Sequence, residues 1–167
     1  VQVRDARDDD WPQIRPFLHE ILHAGETYAW DVTADEEAER EFWMGHGGWP
    51  TGGPHRVSVA VHGGRVVGTA KMGPIRPGRG SHVATASFMA DPAAGVPGVG
   101  RALGEDMLVW AARSGYRAVQ FQAVVETNTR AVHLWTSLGF RIVGTVPEAF
   151  DSPTHGPVGL HVMHRAV

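Results

Sequence analysis

The sequence predicts one mixed α/β domain, residues 1–167, on three observations. Strand-like and helix-like segments alternate along the whole chain, in the order β-α-α-β-β-β-α-β-α-β-β. The 167 residues contain no internal repeat and no long linker, and their number suits a single sizeable core. Apolar content is 43%, ordinary for a soluble protein, and six tryptophans supply large surfaces to bury.

Each element has its own signal. Val1 to Arg4 reads as a short strand. Asp8-Asp9-Asp10 then places acidic groups where a helix begins, with Pro12 in its first turn. Ile14, Phe17, Leu18, Ile21 and Leu22 form one apolar stripe that ends near Gly25. Thr33-Ala34-Asp35-Glu36 reads as a capping box opening a second helix to about Met44. His46 to Pro54, rich in Gly and Pro, predicts a loop. Val57 to Val61 alternates like a strand, and His62-Gly63-Gly64-Arg65 turns it back into Val66 to Met72. Pro74 to Gly80 is a further loop, and His82 to Ala90 a third strand of this group, closed by Asp91-Pro92. Gly98 opens a helix whose buried face is Val99, Leu103, Met107, Trp110 and Ala111, and Gly115 ends it. Ala118 to Val125 is a strand, Asn128 to Leu138 a helix, Arg141 to Val146 a strand, and Gly159 to Arg165 the last strand.

The formal charge of −3 gives nucleic acid and anionic membranes no bulk attraction, so neither is expected as a partner. There is no cysteine, which removes disulfides, thiolate nucleophiles and cysteine zinc sites. No apolar run approaches the ~20 residues of a membrane span, and no secretory signal pattern opens the chain; a cytoplasmic protein is expected.

The stretch Gly95-Val96-Pro97-Gly98-Val99-Gly100 leads from a strand end into a helix. Glycines let backbone approach a ligand closely, and free N–H groups at a helix start favour an anion such as a pyrophosphate. Arg101 in the first turn is placed to add a charge-assisted contact. A plain glycine-bearing loop is the alternative. The P-loop requires Gly-Lys-Ser/Thr, and here Gly100 is followed by Arg101-Ala102. The dinucleotide fingerprint fits Gly98 and Gly100, with Glu126 ending the next strand, but its third glycine comes one residue late, at Gly104.

At this point the chain resembles the GCN5-related N-acetyltransferases, or GNATs. The family motif Gln/Arg-x-x-Gly-x-Gly/Ala follows an x-Pro strand end and opens a helix, as Asp91-Pro92 and Gly98-Val99-Gly100-Arg101-Ala102-Leu103 do here. The family's next signature is a strand, an Asn and a helix ending in Leu-Gly-Phe. Val119 to Val125, Asn128, Ala131, Leu134 and Leu138-Gly139-Phe140 match it in order and separation. The layout is similar to the phosphinothricin acetyltransferase-like branch.

The resemblance implies a mixed, splayed sheet of about six to seven strands flanked by about four helices, with acetyl-CoA as co-substrate and no metal. Backbone groups of Phe88, Met89 and Ala90 would pair with the pantetheine arm. Gly95 and Val96 belong to the pyrophosphate turn, and the amides of Gly98, Val99, Gly100, Arg101, Ala102 and Leu103 would take the pyrophosphate. Asn128 would contact the arm, and Trp135 would sit near the thioester sulfur. A backbone N–H near Met89 or Ala90 would hold the oxyanion. The implied reaction moves the acetyl group to a primary amine of a small molecule by direct attack in a ternary complex. A protein N-terminus or lysine as acceptor, and an acyl-CoA-binding module without catalysis, are the alternatives. A homodimer is a further expectation.

Three positions depart from the family pattern. Gly95 replaces its Gln or Arg. Trp135 stands where many members have a tyrosine that protonates the leaving thiolate, and an indole N–H is no acid. Thr85 stands where the phosphinothricin-like branch has glutamate. A base is still required to take the amine's proton. Glu26, Glu126 and Asp31 are the candidates, in that order. Tyr28, Trp30 and Asp31, in the loop between the first helices, and Thr85 are expected to line a small, partly apolar acceptor pocket.

His19-Glu20-Ile21-Leu22-His23 spells the H-E-x-x-H of zinc peptidases. On a helical wheel, however, both histidines lie opposite the Ile14, Leu18 and Ile21 stripe, which argues against a covered zinc site.

Overall fold

The computed structural model describes residues 1–30, 35–45 and 53–167. Strands β1 (Gln2–Asp5), β2 (Arg56–His62), β3 (Arg65–Pro74), β4 (Val83–Ala90), β5 (Ala118–Val125), β6 (Arg141–Ser152) and β7 (Gly156–Ala166) form one sheet in the order β1-β2-β3-β4-β5-β7-β6. Every neighbouring pair is antiparallel except β4 and β5. Helices α1 (Trp11–Ala24) and α2 (Glu36–Met44) cover one face, and α3 (Val99–Arg113) and α4 (Thr129–Ser137) the other.

The first face buries Trp11, Ile14, Phe17, Leu18 and Trp43 against Val59, Val66 and Met89. Ile21 and Leu22, in the last turns of α1, are only partly buried against this cluster. The second face buries Leu103, Met107 and Ala111 of α3 and Trp135 of α4 against Ala70, Met72, Val119 and Phe121. Gly68 in β3 permits the docking of α3: a Cβ there would lie 2.5 Å from Val99 Cγ1. Gly104 does the same for the α3–α4 crossing, where a Cβ would meet Leu138 Cδ1 at 2.8 Å and Trp135 Cζ3 at 3.0 Å.

Leu138-Gly139-Phe140 has a structural reason. Phe140 N–H donates to the Trp135 carbonyl and Gly139 N–H to that of Thr136, with Gly139 at φ 86°. This is a Schellman closure, which needs a residue that tolerates positive φ. It delivers Phe140 onto Phe121, ring centroids 4.5 Å apart and stacked.

Two expectations change. Helix α2 is capped by Asp35, the third residue of the predicted box, whose Oδ1 accepts from Ala38 N–H at 3.1 Å. Thr33 itself lies outside the described residues, as does the predicted loop from His46 as far as Gly52. Strand β6 runs past Val146 to Ser152, and β7 begins at Gly156 instead of Gly159. Pro147 and the irregular register between Val146 and Phe150 hide the continuation, since local punctuation resembles a strand end while the pairing with β7 resumes beyond it.

No helix among the described residues is long and apolar enough to cross a membrane.

Candidate active site

The parallel strands β4 and β5 pair only at Val83↔Ala118 and Ala84↔Val119. Beyond these two pairs the strands diverge into a V, and residues 85–90 and 120–125 offer their facing edges to no strand. Alternate residues of a strand direct their N–H and C=O groups to opposite sides. Asp91 N–H donates back to Val67 of β3, so the odd-numbered residues of β4 serve β3. Phe88 and Ala90 therefore open into the V. Met89 does not: its backbone faces Thr69 and its side chain is buried toward α1. This corrects the expectation that Met89 would pair with a ligand or hold an oxyanion.

Phe88 is already engaged. Its N–H donates to Tyr28 Oη at 3.0 Å, and the Tyr28 hydroxyl donates to the Phe88 carbonyl at 2.5 Å. Burial pushes the Tyr28 phenol well above its ordinary range. Its ring stacks on Trp30, centroids 4.6 Å apart. Trp30 also lines a cavity of about 340 Å³ with Leu18, Leu22, Phe42 and Trp43. The predicted acceptor residues Tyr28 and Trp30 thus form one aromatic layer between that cavity and the V. Thr85 is half-buried on β4, opposite Gly73. Asp31 lies outside the described residues.

On the other face Trp135 bridges the arms of the V, 4.6 Å from the Phe88 ring and 4.8 Å from that of Phe121. The turn at the tip of β4 is held by Asp91, which accepts from Ala93 N–H at 2.9 Å and from Arg65 at 2.7 Å. Sequence reasoning marked Asp91 only as a strand end. Its buried carboxylate shapes the following turn, and Asp-Pro ahead of a glycine turn was the available signal. Val96 tucks against the core below.

Gly98 stands at φ 81° ahead of α3, with open space where a Cβ would be. The N–H groups of Val99, Gly100 and Arg101 have no acceptor within the helix. Ala102 N–H is spent on the Gly98 carbonyl at 2.9 Å, and Leu103 lies a full turn in, so these two amides leave the expected anion set. Gly100 is small for a different reason than anion approach, since a Cβ would sit 3.1 Å from Leu134 of α4. The Arg101 guanidinium turns along the surface to Ser137 (2.7 Å) and Glu105 (3.3 Å), so its backbone N–H is its contribution to the turn. Gly95, at φ 63°, contributes backbone alone. Asn128 caps α4 through Oδ1, which accepts from Ala131 N–H at 3.2 Å; its amide nitrogen is the group left for a ligand.

The candidate bases differ. Glu26 accepts from Ser152 Oγ (2.6 Å), from Thr154 N–H (3.1 Å) and from the Thr154 hydroxyl. These bonds, led by Ser152, hold its carboxyl below the usual range. The same bonds tie the α1–α2 loop to the β6–β7 turn, and the lowered pKa makes Glu26 a weaker base than a free carboxylate. Glu126 ends the β5 arm of the V, exposed, with one oxygen accepting from Gly159 N–H at 2.5 Å.

The H-E-x-x-H histidines do not converge on a site. His19 Nε2 lies 2.7 Å from Glu39 Oε2, which also takes Arg15 at 3.2 Å, and His23 is exposed. Among the described residues no three His, Asp or Glu side chains are grouped to hold a metal.

Comparison with known proteins places this geometry. Residues 9–140 match the model of the acetyltransferase (GNAT) family. A solved GCN5-related N-acetyltransferase from Kribbella flavida is 60% identical, covering 99% of this chain and 97% of that one, with a TM-score of 0.92. A phosphinothricin acetyltransferase from Sinorhizobium meliloti, solved with acetyl-CoA, shares the fold at TM-score 0.82 and 20% identity, over 99% of this chain and 88% of that one. N-acetyltransferase aca1 of Schizosaccharomyces pombe is 32% identical over 84 residues, 50% of this chain and 40% of that protein. The chain thus spans less than half the length of the curated relatives it matches. A V opened between β4 and β5, a free amide cluster at the start of α3 and a family match over residues 9–140 make this chain a member of the GNAT acetyltransferase family.

Proposed function

We propose that this protein transfers the acetyl group of acetyl-CoA to a primary amine of a small molecule. One observation carries the reading. The edge of β4 opens Phe88 and Ala90 into a V that ends at the free amides of Val99, Gly100 and Arg101. An extended arm with a pyrophosphate at one end fits that arrangement, by strand addition along β4 and anion binding at the helix start. Acetyl-CoA supplies an activated acyl carbon. The Phe88 N–H is directed at the place where negative charge develops on the thioester oxygen. The amine nitrogen bonds to the acetyl carbon, the carbon–sulfur bond breaks and CoA leaves as thiolate. The amine's proton passes to Glu126, directly or through water. With Trp135 in the family's tyrosine position, departure as thiolate is tolerable for a thiol of pKa about 8.5.

The Tyr28–Trp30 layer closes the α1/α2 side of the V beside Phe88, which supports a small, partly apolar amine as acceptor. Exposed Ile142, Val143 and Val146 on edge strand β6 support a second copy of the chain as partner.

Calorimetry with acetyl-CoA, followed by thiol release against an amine library and a peptide set, tests the reading. Binding with turnover on small amines is expected. Turnover on peptides alone would make the acceptor a protein, and binding without turnover on either would make the chain a binding module. Glu126→Gln is expected to lower kcat about 100-fold; an unchanged kcat rejects Glu126 as the base.

A further inference from the structure

The Tyr28 hydroxyl occupies the acceptor position of the Phe88 N–H that opens into the V, 3.0 Å from Phe88 N. We infer that Tyr28 is a second hydrogen-bond donor to the thioester oxygen, completing with Phe88 N–H a two-donor oxyanion site. The inference rests on the acetyltransferase reading above and assigns a further catalytic residue to the same site.

The hydroxyl accepts from Phe88 N–H and donates to Phe88 C=O, so it caps the ladder groups that a ligand adding to β4 must take. When a carbonyl oxygen claims the N–H, the phenol gives way by about one hydrogen-bond length, roughly 2.7 Å. Its O–H then faces the oxygen that displaced it. A single hydroxyl shift converts a cap into a donor.

Two constraints limit the shift to a slide in the ring's own plane and keep the hydroxyl beside the site. The stack on Trp30 fixes its plane, at 4.6 Å and 21°. The start of the loop is tied down by Glu26, through Ser152 and Thr154. The raised pKa suits this role, because a neutral phenol keeps its proton at neutral pH and donates throughout the reaction. No proton is transferred from Tyr28; it stabilises charge on oxygen while the thiolate leaves as CoA. Trp135 packs between Phe88 and Phe121 on the opposite face and holds no acidic proton, so the thiolate still leaves unprotonated.

The test is isotope-edited infrared spectroscopy of acetyl-CoA labelled with ¹³C at the thioester carbonyl, bound to the whole chain without an acceptor. The carbonyl stretch is expected to be lower in the wild type than in Tyr28→Phe. Site-specific 3,5-difluorotyrosine at position 28, a stronger donor of nearly the same shape, is expected to lower it further. Tyr28→Phe is expected to reduce kcat about 100-fold, the usual scale for one oxyanion donor. Its acetyl-CoA affinity should be equal or tighter, because the cap on Phe88 is gone. An unchanged stretch in both variants, with tighter binding and unchanged kcat, overturns the inference and leaves Tyr28 a strand cap only. Failure of the wild type to bind acetyl-CoA would instead remove the acetyltransferase reading on which it stands.

Discussion

On the α3/α4 face, small residues bring backbones together: Gly68 admits Val99, Gly104 admits Leu138, and the start of α3 offers main-chain amides. On the α1/α2 face, side chains do the equivalent work. Tyr28 reaches the edge of β4, Trp30 walls a cavity, and the buried Lys71 lies 3.6 Å from the Phe42 ring centroid and donates to the Phe42 carbonyl at 2.8 Å. The half that would hold acetyl-CoA is therefore defined by backbone geometry. The half that would admit the acceptor is defined by aromatic and polar side chains carried on a loop. Backbone geometry tolerates few sequences, whereas a side-chain wall can be repapered to suit another amine. Gly98 and Gly100 at the helix start keep the family pattern, whereas Gly95, Thr85 and Trp135 depart from it, on both faces of the sheet.

The sharpest way to break the comparison is to put a side chain where two backbones meet. Gly68→Val is expected to cost roughly 3 kcal/mol, since its branches collide with Val99 and the Met89 carbonyl. Urea unfolding measures the cost. Acetyl-CoA binding should weaken in the same variant, because the start of α3 is pushed from the sheet; intact binding would detach the helix position from the amide site.

A smaller effect probes the side-chain half. Burial pushes the Lys71 ammonium down to about 8. Above that pH the folded chain has released a proton that the unfolded chain keeps until about 10.4. Stability therefore rises with pH from about 8 upward, by on the order of 2 kcal/mol. Urea unfolding at pH 7.5 and 9.5 should show the rise in the wild type and not in Lys71→Met.

Asn128 lies on the seam between the two kinds of construction. Asn128→Ala is expected to lose about 1 kcal/mol of stability with the cap on α4. Asn128→Asp restores the cap without the amide nitrogen. If acetyl-CoA affinity stays low in the Asp variant while thermal stability returns, the nitrogen makes the ligand contact.

The smallest effect belongs to Glu26→Gln. The amide keeps one accepting oxygen and loses the other, so the loop should loosen and raise KM for the acceptor slightly while the pH–rate profile stays where it was. A displaced profile would return Glu26 to the role of base.

Much of the fold was legible because local rules agreed with the global result. The apolar stripes of α1 and α3, the Gly63-Gly64 hairpin and the Asn128 to Phe140 segment each carry a signal confined to a few neighbouring residues. The extension of β6 was not legible, because its second half is specified by pairing with β7 across a bulge and not by its own pattern.

By itself, the sequence determined the element order, the helix start at Gly98 and the family, since periodicity, positive-φ glycines and motif spacing are local properties of a chain. The tertiary structure alone decided which groups meet. Alternation along β4, set by its pairing with β3, turned Phe88 and Ala90 into the V and Met89 away from it. A contact between Tyr28 and Phe88, sixty positions apart, exists only once the α1–α2 loop folds over the sheet. Ser152 and Thr154 meet Glu26 in the same way, more than a hundred positions along the chain. Electrostatic environment and hydrogen-bond partnership are properties of neighbours in space, and neighbours in space are what a sequence leaves unstated.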